Sequence, residues 1–195
     1  MNTCDTTGGL LPFEGSKEIA DIVLRLVKQF NIQAFIETGT QRGATALWAT
    51  RQGLDVVTIE ADPIYHAEAS VNLLDSGARL ILGDSAEQLP EAISLVKGPT
   101  LFFLDAHGCR IGGTALRREL QVIKDHRCDE AVITIHDVQV PGHPELGYDK
   151  YEDAELSIDF VRECLEVSGF GDWVIGYNTI ADGAERGFCY ITKTL

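Results

Sequence analysis

Short apolar segments alternate with longer segments of helical periodicity along most of the chain. The apolar segments are rich in β-branched and aromatic residues and lack polar alternation, which is typical of strands covered on both faces. They comprise residues 32–37, 55–60, 78–83, 100–105 and 131–136. Between them, apolar residues recur at the spacing of one helix face, as at Ile19, Ile22, Val23 and Leu26. Repeated strand–helix units predict an α/β fold with a parallel sheet and right-handed crossovers.

The last part of the chain breaks this alternation. A helix is predicted over residues 152–169, ending at Gly169, and two strand-like segments follow at 173–178 and 187–192 with no helix between them. Such a pair predicts an antiparallel hairpin at the sheet edge. The whole prediction is a seven-stranded, mostly parallel sheet with helices on both faces, in one domain spanning residues 1–195. Residues 1–15 form an N-terminal extension, and the irregular stretch 138–152 is a candidate lid loop.

Composition and charge narrow the classes of partner. The chain has 30 acidic against 16 Lys and Arg residues, a formal net charge of -14, which disfavours a nucleic-acid partner. Its five cysteines include no C-x-x-C pair, and the odd count indicates reduced thiols in a cytoplasmic protein. Because no apolar run approaches the roughly 18 residues of a membrane span, we expect no membrane partner.

The first predicted strand ends in the turn "ETGTQRGAT". A glycine-bearing turn before a helix lets the backbone approach a ligand and presents free N–H groups at the helix start, which indicates a nucleotide-type ligand. The spacing from Gly39 to Gly43 does not match the G-x-G-x-x-G fingerprint of dinucleotide sites. Glu37 would repel a pyrophosphate but suits an ammonium group. An NAD-dependent oxidoreductase is therefore disfavoured.

Acidic residues also follow the next three strands. Glu60 is placed to accept the hydroxyls of a ribose, Asp84 and Ser85 to meet a base edge, and Asp105 to face the mouth of the site. Each residue alone has a simpler explanation, since Asp and Ser at such junctions often cap helices. Four acids at successive strand ends, Glu37 included, would destabilise the fold without a cationic partner among them. S-adenosylmethionine (SAM) carries an ammonium, a sulfonium and a ribose diol.

The order of the segments "FIETGTQRGAT", "VVTIEADP", "LILGDS" and "FFLDAH", with the closing hairpin, resembles the class I SAM-dependent methyltransferases and their Rossmann-like fold. In that family the turn holds the methionine part of the cofactor, and Glu60 matches the ribose ligand. Asp84 and Ser85 match the adenine contacts, and Asp105 lies beside the reactive methyl group. The resemblance implies a cofactor site made of Glu37, Gly39, Thr40, Gly43, Glu60, Asp84, Ser85 and Asp105.

A narrower resemblance involves the segment "LDAHGCRIGGTALRRELQVI", which is similar to small methyltransferase-like proteins of surface-glycan and sugar-tailoring pathways. In that branch the fifth strand typically ends in two aspartates, whereas this chain has His136 and Asp137. Related sugar and catechol O-methyltransferases bind a divalent metal at such positions. The resemblance therefore implies a site for Mg²⁺ or another divalent ion at Asp105, His136 and Asp137.

Two catalytic schemes remain open at this stage. A metal would lower the pKa of the acceptor hydroxyl, or His107 would act as the general base beside Asp105. His107 could equally be a loop residue that only forms a hydrogen bond. The expected activity is O-methylation of a small-molecule or sugar hydroxyl; the alternative is a non-catalytic module that binds a nucleoside or SAM. The sequence identifies neither the acceptor nor an oligomeric state.

Overall fold

The computed structural model describes residues 11–106, 115–127, 131–151, 154–171 and 173–193. Its strands are β1 (Ala34–Thr38), β2 (Asp55–Glu60), β3 (Arg79–Leu82), β4 (Thr100–Leu104), β5 (Ala131–His136), β6 (Trp173–Tyr177) and β7 (Phe188–Lys193). Together these form one sheet in the order β3-β2-β1-β4-β5-β7-β6. The first five strands are parallel, and β7 pairs antiparallel with both β5 and β6. The predicted sheet and closing hairpin are confirmed, with each strand end within two residues of its prediction.

Six helices connect and flank these strands within the described ranges. They are α1 (Lys17–Gln29), α2 (Ala44–Arg51), α3 (Pro63–Asn72), α4 (Ser85–Ser94), α5 (Leu116–Arg127) and α6 (Ile158–Val167). The predicted last helix was too long at its N-terminal end. Ser157 has extended backbone and caps α6 by accepting a hydrogen bond from the backbone N–H of Phe160. None of the described helices is both long and apolar enough to span a bilayer.

Strand β4 occupies the centre of the core. Its five residues are all buried, and alternate side chains enter two separate hydrophobic clusters, one on each face of the sheet. Phe102 and Leu104 belong to one cluster, and Leu101 and Phe103 to the other. The prediction of a strand covered on both faces is confirmed. Because β1 and β5 flank it, the end of β4 is held firmly at the carboxyl edge of the sheet.

The chain before α1 packs onto the sheet at this same edge. Phe13 is only 2% exposed, and its ring meets those of Trp48 and Phe103 edge-on, with centroids 4.8 and 5.4 Å away. Its backbone N–H donates to Oγ1 of Thr45. Phe13 and Glu14 both have positive φ, a conformation that costs L-residues energy and persists only where packing enforces it. The aromatic contacts of Phe13 supply that packing.

The loop between β6 and β7 holds this N-terminal segment in place. The carboxylate of Asp182 accepts hydrogen bonds from the Ser16 hydroxyl and from the backbone N–H groups of Lys17 and Glu18, at the start of α1. Gly183 lies so close that a Cβ there would stand 2.4 Å from the backbone nitrogen of Ser16. The beginning of the described chain and the closing hairpin therefore meet at the carboxyl edge of the sheet.

The structure describes residues 138–151 of the candidate lid stretch. Val138, Val140 and Leu146 are buried along it. Its backbone is paired with the β6–β7 loop, since Val138 donates to the carbonyl of Gly187 at 3.0 Å and Gly147 donates to that of Glu185 at 2.7 Å. In this structure the described part of the stretch is packed rather than free of the sheet.

Replacing Phe13 by alanine tests the packing of the N-terminal segment. Phe13→Ala should lower the free energy of unfolding by about 3–5 kcal/mol, because it leaves a cavity between Trp48 and Phe103. Urea denaturation measures this change. Leu11→Ala is the matched control: its side chain is 60% exposed, so the change should stay within about 0.5 kcal/mol. Equal stability of the two variants would contradict this packing.

Candidate active site

The carboxyl ends of four adjacent parallel strands bring the predicted site residues to one edge of the sheet. Glu37 is the residue before the last in β1, and Glu60 is the last residue of β2. Asp105 directly follows β4, His136 is the last residue of β5, and Asp137 follows it. Ligands of open α/β sheets bind outside this edge. The structure therefore collects the acids of β1, β2, β4 and β5 where the sequence predicted them.

The turn after β1 is sharp and rests on the end of β4. Gly39 and Gly43 have φ near +83° and +85°, and Gln41 between them is also left-handed. A Cβ on Gly39 would lie 2.4 Å from the carbonyl oxygen of Asp105. The sequence interpretation assigned this glycine to the approach of a ligand, but contact with the protein's own backbone already requires it. Contact of Gly39, Thr40 and Gly43 with a cofactor stays a prediction.

Glu37 is buried beneath this turn. The side chain is 2% exposed, and its carboxyl accepts a hydrogen bond of 2.6 Å from the Thr58 hydroxyl, which also contacts that of Thr40 at 2.5 Å. Burial, reinforced by the charges of Asp105 and Glu60, raises the pKa of Glu37 from 4.5 to about 8. Without a cationic ligand, Glu37 is therefore mostly protonated at neutral pH.

Glu60 fixes the backbone around the turn. One of its carboxylate oxygens accepts the N–H of Gln41 at 2.7 Å, and the other accepts that of Asp62 at 2.8 Å. The residue is 5% exposed. Each carboxylate oxygen has a second lone pair, so these bonds leave acceptor capacity for another donor. The predicted ribose contact remains compatible with this geometry and is untested by it.

Asp84 caps a helix, which is the simpler of the two roles considered for it from the sequence. It caps α4 by accepting the N–H of Glu87 at 3.2 Å, and it forms a two-point ion pair with Arg118 at 3.1 and 2.9 Å. The hydrogen bonds from Arg118 hold the pKa of Asp84 below its usual range. Ser85, the first residue of α4, is buried. If Asp84 contacts an adenine as predicted, its carboxylate must bind the adenine and Arg118 at the same time.

Alternating charges extend from the end of β4 across the end of β5. Nδ1 of His136 lies 3.4 Å from Asp105 and 3.2 Å from Asp137, and the Arg186 guanidinium contacts Asp137 through Nε and Asp149 through Nη2. We call this series the charge chain: Asp105, His136, Asp137, Arg186 and Asp149. It passes through the core, because His136 is only 1% exposed.

The charge chain shifts the titration of its members. Burial alone would lower the pKa of His136, but the carboxylates of Asp105 and Asp137 outweigh it and raise that pKa well above 6.5. Burial alone would raise the pKa of Asp137, but His136 and Arg186 outweigh it and lower that pKa. Neither ring nitrogen of His136 has a well-formed hydrogen bond to the described residues.

Glu14 brings a further carboxylate to this edge. An oxygen of Glu14, a ring nitrogen of His136 and an oxygen of Asp137 lie within 4.8 Å of one another, which is a metal-compatible grouping. The predicted set of Asp105, His136 and Asp137 shares two of these three residues. Glu14 is exposed, yet partial desolvation beside the sheet raises its pKa above the usual value.

Sequence reasoning missed Glu14, Asp149 and Arg186. The predicted hairpin could have pointed to Arg186. This hairpin places β7 beside β5, where His136 pairs with Phe188, so that Arg186 lies near the end of β5. Glu14 had no such signal, since residues 1–15 looked like an extension. His107, the second predicted catalytic residue, lies outside the described residues.

Solved structures of methyltransferases share this fold. The O-methyltransferase TomG from Streptomyces achromogenes, in complex with SAM, matches with a TM-score of 0.62 and 19% identity over 92% of this chain and 81% of its own. An O-methyltransferase from Bacillus cereus in complex with S-adenosylhomocysteine (SAH) matches with a TM-score of 0.62 and 18% identity, covering 94% and 84%. The predicted Rossmann-like class I methyltransferase fold is confirmed.

The same fold also carries other chemistry. The precorrin 8w decarboxylase from Methanobacterium thermoautotrophicum matches with a TM-score of 0.58 and 17% identity, over 95% of this chain and 94% of its own. No protein-family model matches the chain, and no curated protein matches it in sequence. The reaction must therefore be argued from the site.

The raised pKa of Glu37 predicts a pH-dependent stability difference. A glutamate with a pKa of about 8 in the folded state and about 4.5 when unfolded binds its proton more tightly when folded. Its contribution to stability is therefore complete below about pH 4.5 and is lost as the pH rises to about 8. Glu37→Gln removes this loss. The melting temperature of the variant minus that of the wild type should therefore be larger at about pH 9 than at about pH 5.

Thermal unfolding of the ligand-free protein at the two pH values measures this difference. Glu91→Gln, an exposed position on α4, removes the same charge and should shift the melting temperature equally at both pH values. A Glu37→Gln difference that does not change with pH would contradict a protonated Glu37.

Proposed function

We propose that the protein is a SAM-dependent methyltransferase that methylates a hydroxyl oxygen of a small molecule or sugar. The observation that carries this proposal is the set of carboxylates of Glu37, Glu60 and Asp105 at three adjacent strand ends. Within the described residues, the charges that raise the pKa of Glu37 are those of the other two acids. Asp105 has His136 beside it, whereas no cation among the described residues contributes to the pKa of Glu37. A ligand with an ammonium and a sulfonium group would supply positive charge on that side.

The side chains at this edge suit the parts of SAM. Glu37 and the Gly39–Gly43 turn would hold the methionine ammonium and carboxylate, and Glu60 retains lone pairs for the ribose. The hydroxyl of Thr38 is buried there without a hydrogen-bond partner among the described residues, so it offers a further polar contact. When bound, SAM supplies a methyl group that its sulfonium has already activated.

Methyl transfer to a hydroxyl also requires removal of the hydroxyl proton. The carboxylate of Asp105 is more accessible than that of Asp137, since 28% of the Asp105 side chain is exposed against 14% for Asp137. His136 lies next to Asp105 on the buried side. We therefore assign the acceptor side of the site to Asp105, with His136 as the residue that orients it. His107, two positions further along, stays a predicted general base.

The alternative is a module that binds SAM or a nucleoside without catalysis. The charge chain favours an enzyme, because a cofactor binder needs no buried histidine between two carboxylates at the acceptor side. Burying charges is costly even when they are paired, and well-packed apolar residues often stabilise a fold equally well.

Isothermal titration separates the ligand classes. We expect SAM and SAH to bind and NAD not to bind. Release of SAH in the presence of hydroxyl-bearing small molecules then tests transfer, and it should fall sharply in Asp105→Asn. Binding of SAM without release of SAH, with any acceptor tried, would favour the non-catalytic module. Binding of NAD alone would contradict both.

Replacing Glu60 by glutamine tests its predicted contact with the ribose of SAM. Glu60→Gln should weaken SAM binding by about 10- to 100-fold, because a charge-assisted hydrogen bond to the ribose is lost. The amide keeps one oxygen that can accept from the turn. Isothermal titration measures the change, and Glu91→Gln is again the matched control. Unchanged affinity in folded Glu60→Gln would remove Glu60 from the cofactor site.

A further inference from the structure

One of the three residues predicted to bind a metal, Asp137, is already paired with a positive charge that belongs to the protein. The guanidinium of Arg186 contacts both Asp137 and Asp149. We propose that Arg186 is the resident cation of this site, so that the protein acts without a divalent metal. The catalytic meaning of this proposal rests on the proposed methyltransferase function, but its test does not require turnover.

The backbone around Arg186 holds this residue beside Asp137. Gly187 lies so close to the end of β5 that a Cβ there would stand 1.9 Å from the carbonyl oxygen of Val138. The amide of Asn178 donates to the carbonyl of Arg186 at 3.0 Å, and its oxygen accepts the N–H of Phe188 at 2.8 Å. With its own carbonyl and the next two residues fixed in this way, the arginine side chain contacts Asp137.

Both acids that meet Arg186 are also held in place. The N–H of Asp149 donates to the carbonyl of Asp137 at 3.0 Å, and the Tyr151 hydroxyl donates to the Asp149 carboxylate at 2.6 Å. The planar guanidinium thus spans two carboxylates whose positions do not depend on it alone. This is the arrangement in which arginine acts as a fixed charge, since it cannot lose its proton in a protein.

A divalent ion fits the donor types of this site but not its charges. Glu14, His136 and Asp137 offer oxygen and imidazole ligands. However, an ion on Asp137 would lie beside the guanidinium that the same carboxylate already binds, and two like charges at such a distance repel strongly in a partly buried site. The residues present therefore do not fit the metal that the resemblance implied. In the charge chain, Arg186 is a positioning residue that holds Asp137, and through it the imidazole beside Asp105.

Manganese binding tests the proposal directly, through titration of the protein with Mn²⁺ followed by electron paramagnetic resonance. The wild type should show no stoichiometric binding up to about millimolar Mn²⁺. Arg186→Met removes the charge and frees the carboxylates of Asp137 and Asp149, so its affinity for Mn²⁺ should rise at least about tenfold. Arg186→Lys keeps a positive charge and should resemble the wild type. Arg162→Met, on the exposed face of α6, removes the same charge elsewhere and is the matched control.

Two outcomes would overturn the proposal. One is stoichiometric Mn²⁺ binding by the wild type that Asp137→Asn abolishes. The other is a folded Arg186→Met whose Mn²⁺ affinity does not exceed that of Arg162→Met. If Arg186→Met does not fold, the Mn²⁺ titration of the wild type and of Asp137→Asn still decides the matter. Failure of SAM to bind would remove the proposed function, whereas these Mn²⁺ results would stand without it.

Discussion

The concentration of carboxylates at one edge of a parallel sheet is the constraint on which this structure depends. A buried acid must be neutralised by a proton, by hydrogen bonds or by a cation. The two halves of the edge meet this requirement differently. At β4 and β5, side-chain cations alternate with the acids in the charge chain. At β1, Glu37 keeps a proton, and at β2, Glu60 accepts backbone N–H groups. This asymmetry separates the edge into a half that is complete in itself and a half suited to a cationic ligand.

The fold was predictable because its signals are local. Continuous apolar segments and helical spacing located the strands to within two residues, and the missing helix before the last segment identified the hairpin. The site was predictable wherever its residues directly follow parallel strands, since these strands end together. For this reason the sequence predicted that Glu37, Glu60, Asp105, His136 and Asp137 lie at one edge of the sheet, while their functional roles stay predictions.

The remaining features depend on contacts between distant parts of the chain. Glu14 reaches the site because Phe13 is packed among aromatic rings from α2 and β4. Arg186 reaches it because the hairpin folds back beside β5. Gly39 shows a different difficulty, since a glycine required by the protein's own backbone and one required by a ligand give the same sequence signal. Local pattern cannot distinguish the two.

The attachment of Asp182 to the start of α1 joins positions about 165 residues apart. The same is true of the backbone bond from Ala184 to Glu14. Because β6 and β7 are the last strands along the chain, β1 to β5 can pair before the hairpin is available. The acids at their ends would then lie together without Arg186, and the segment around Phe13 would lack its hydrogen bonds with Asp182 and Ala184. Closure of the hairpin is thus the step that brings Arg186 to acids that the earlier strands have already gathered.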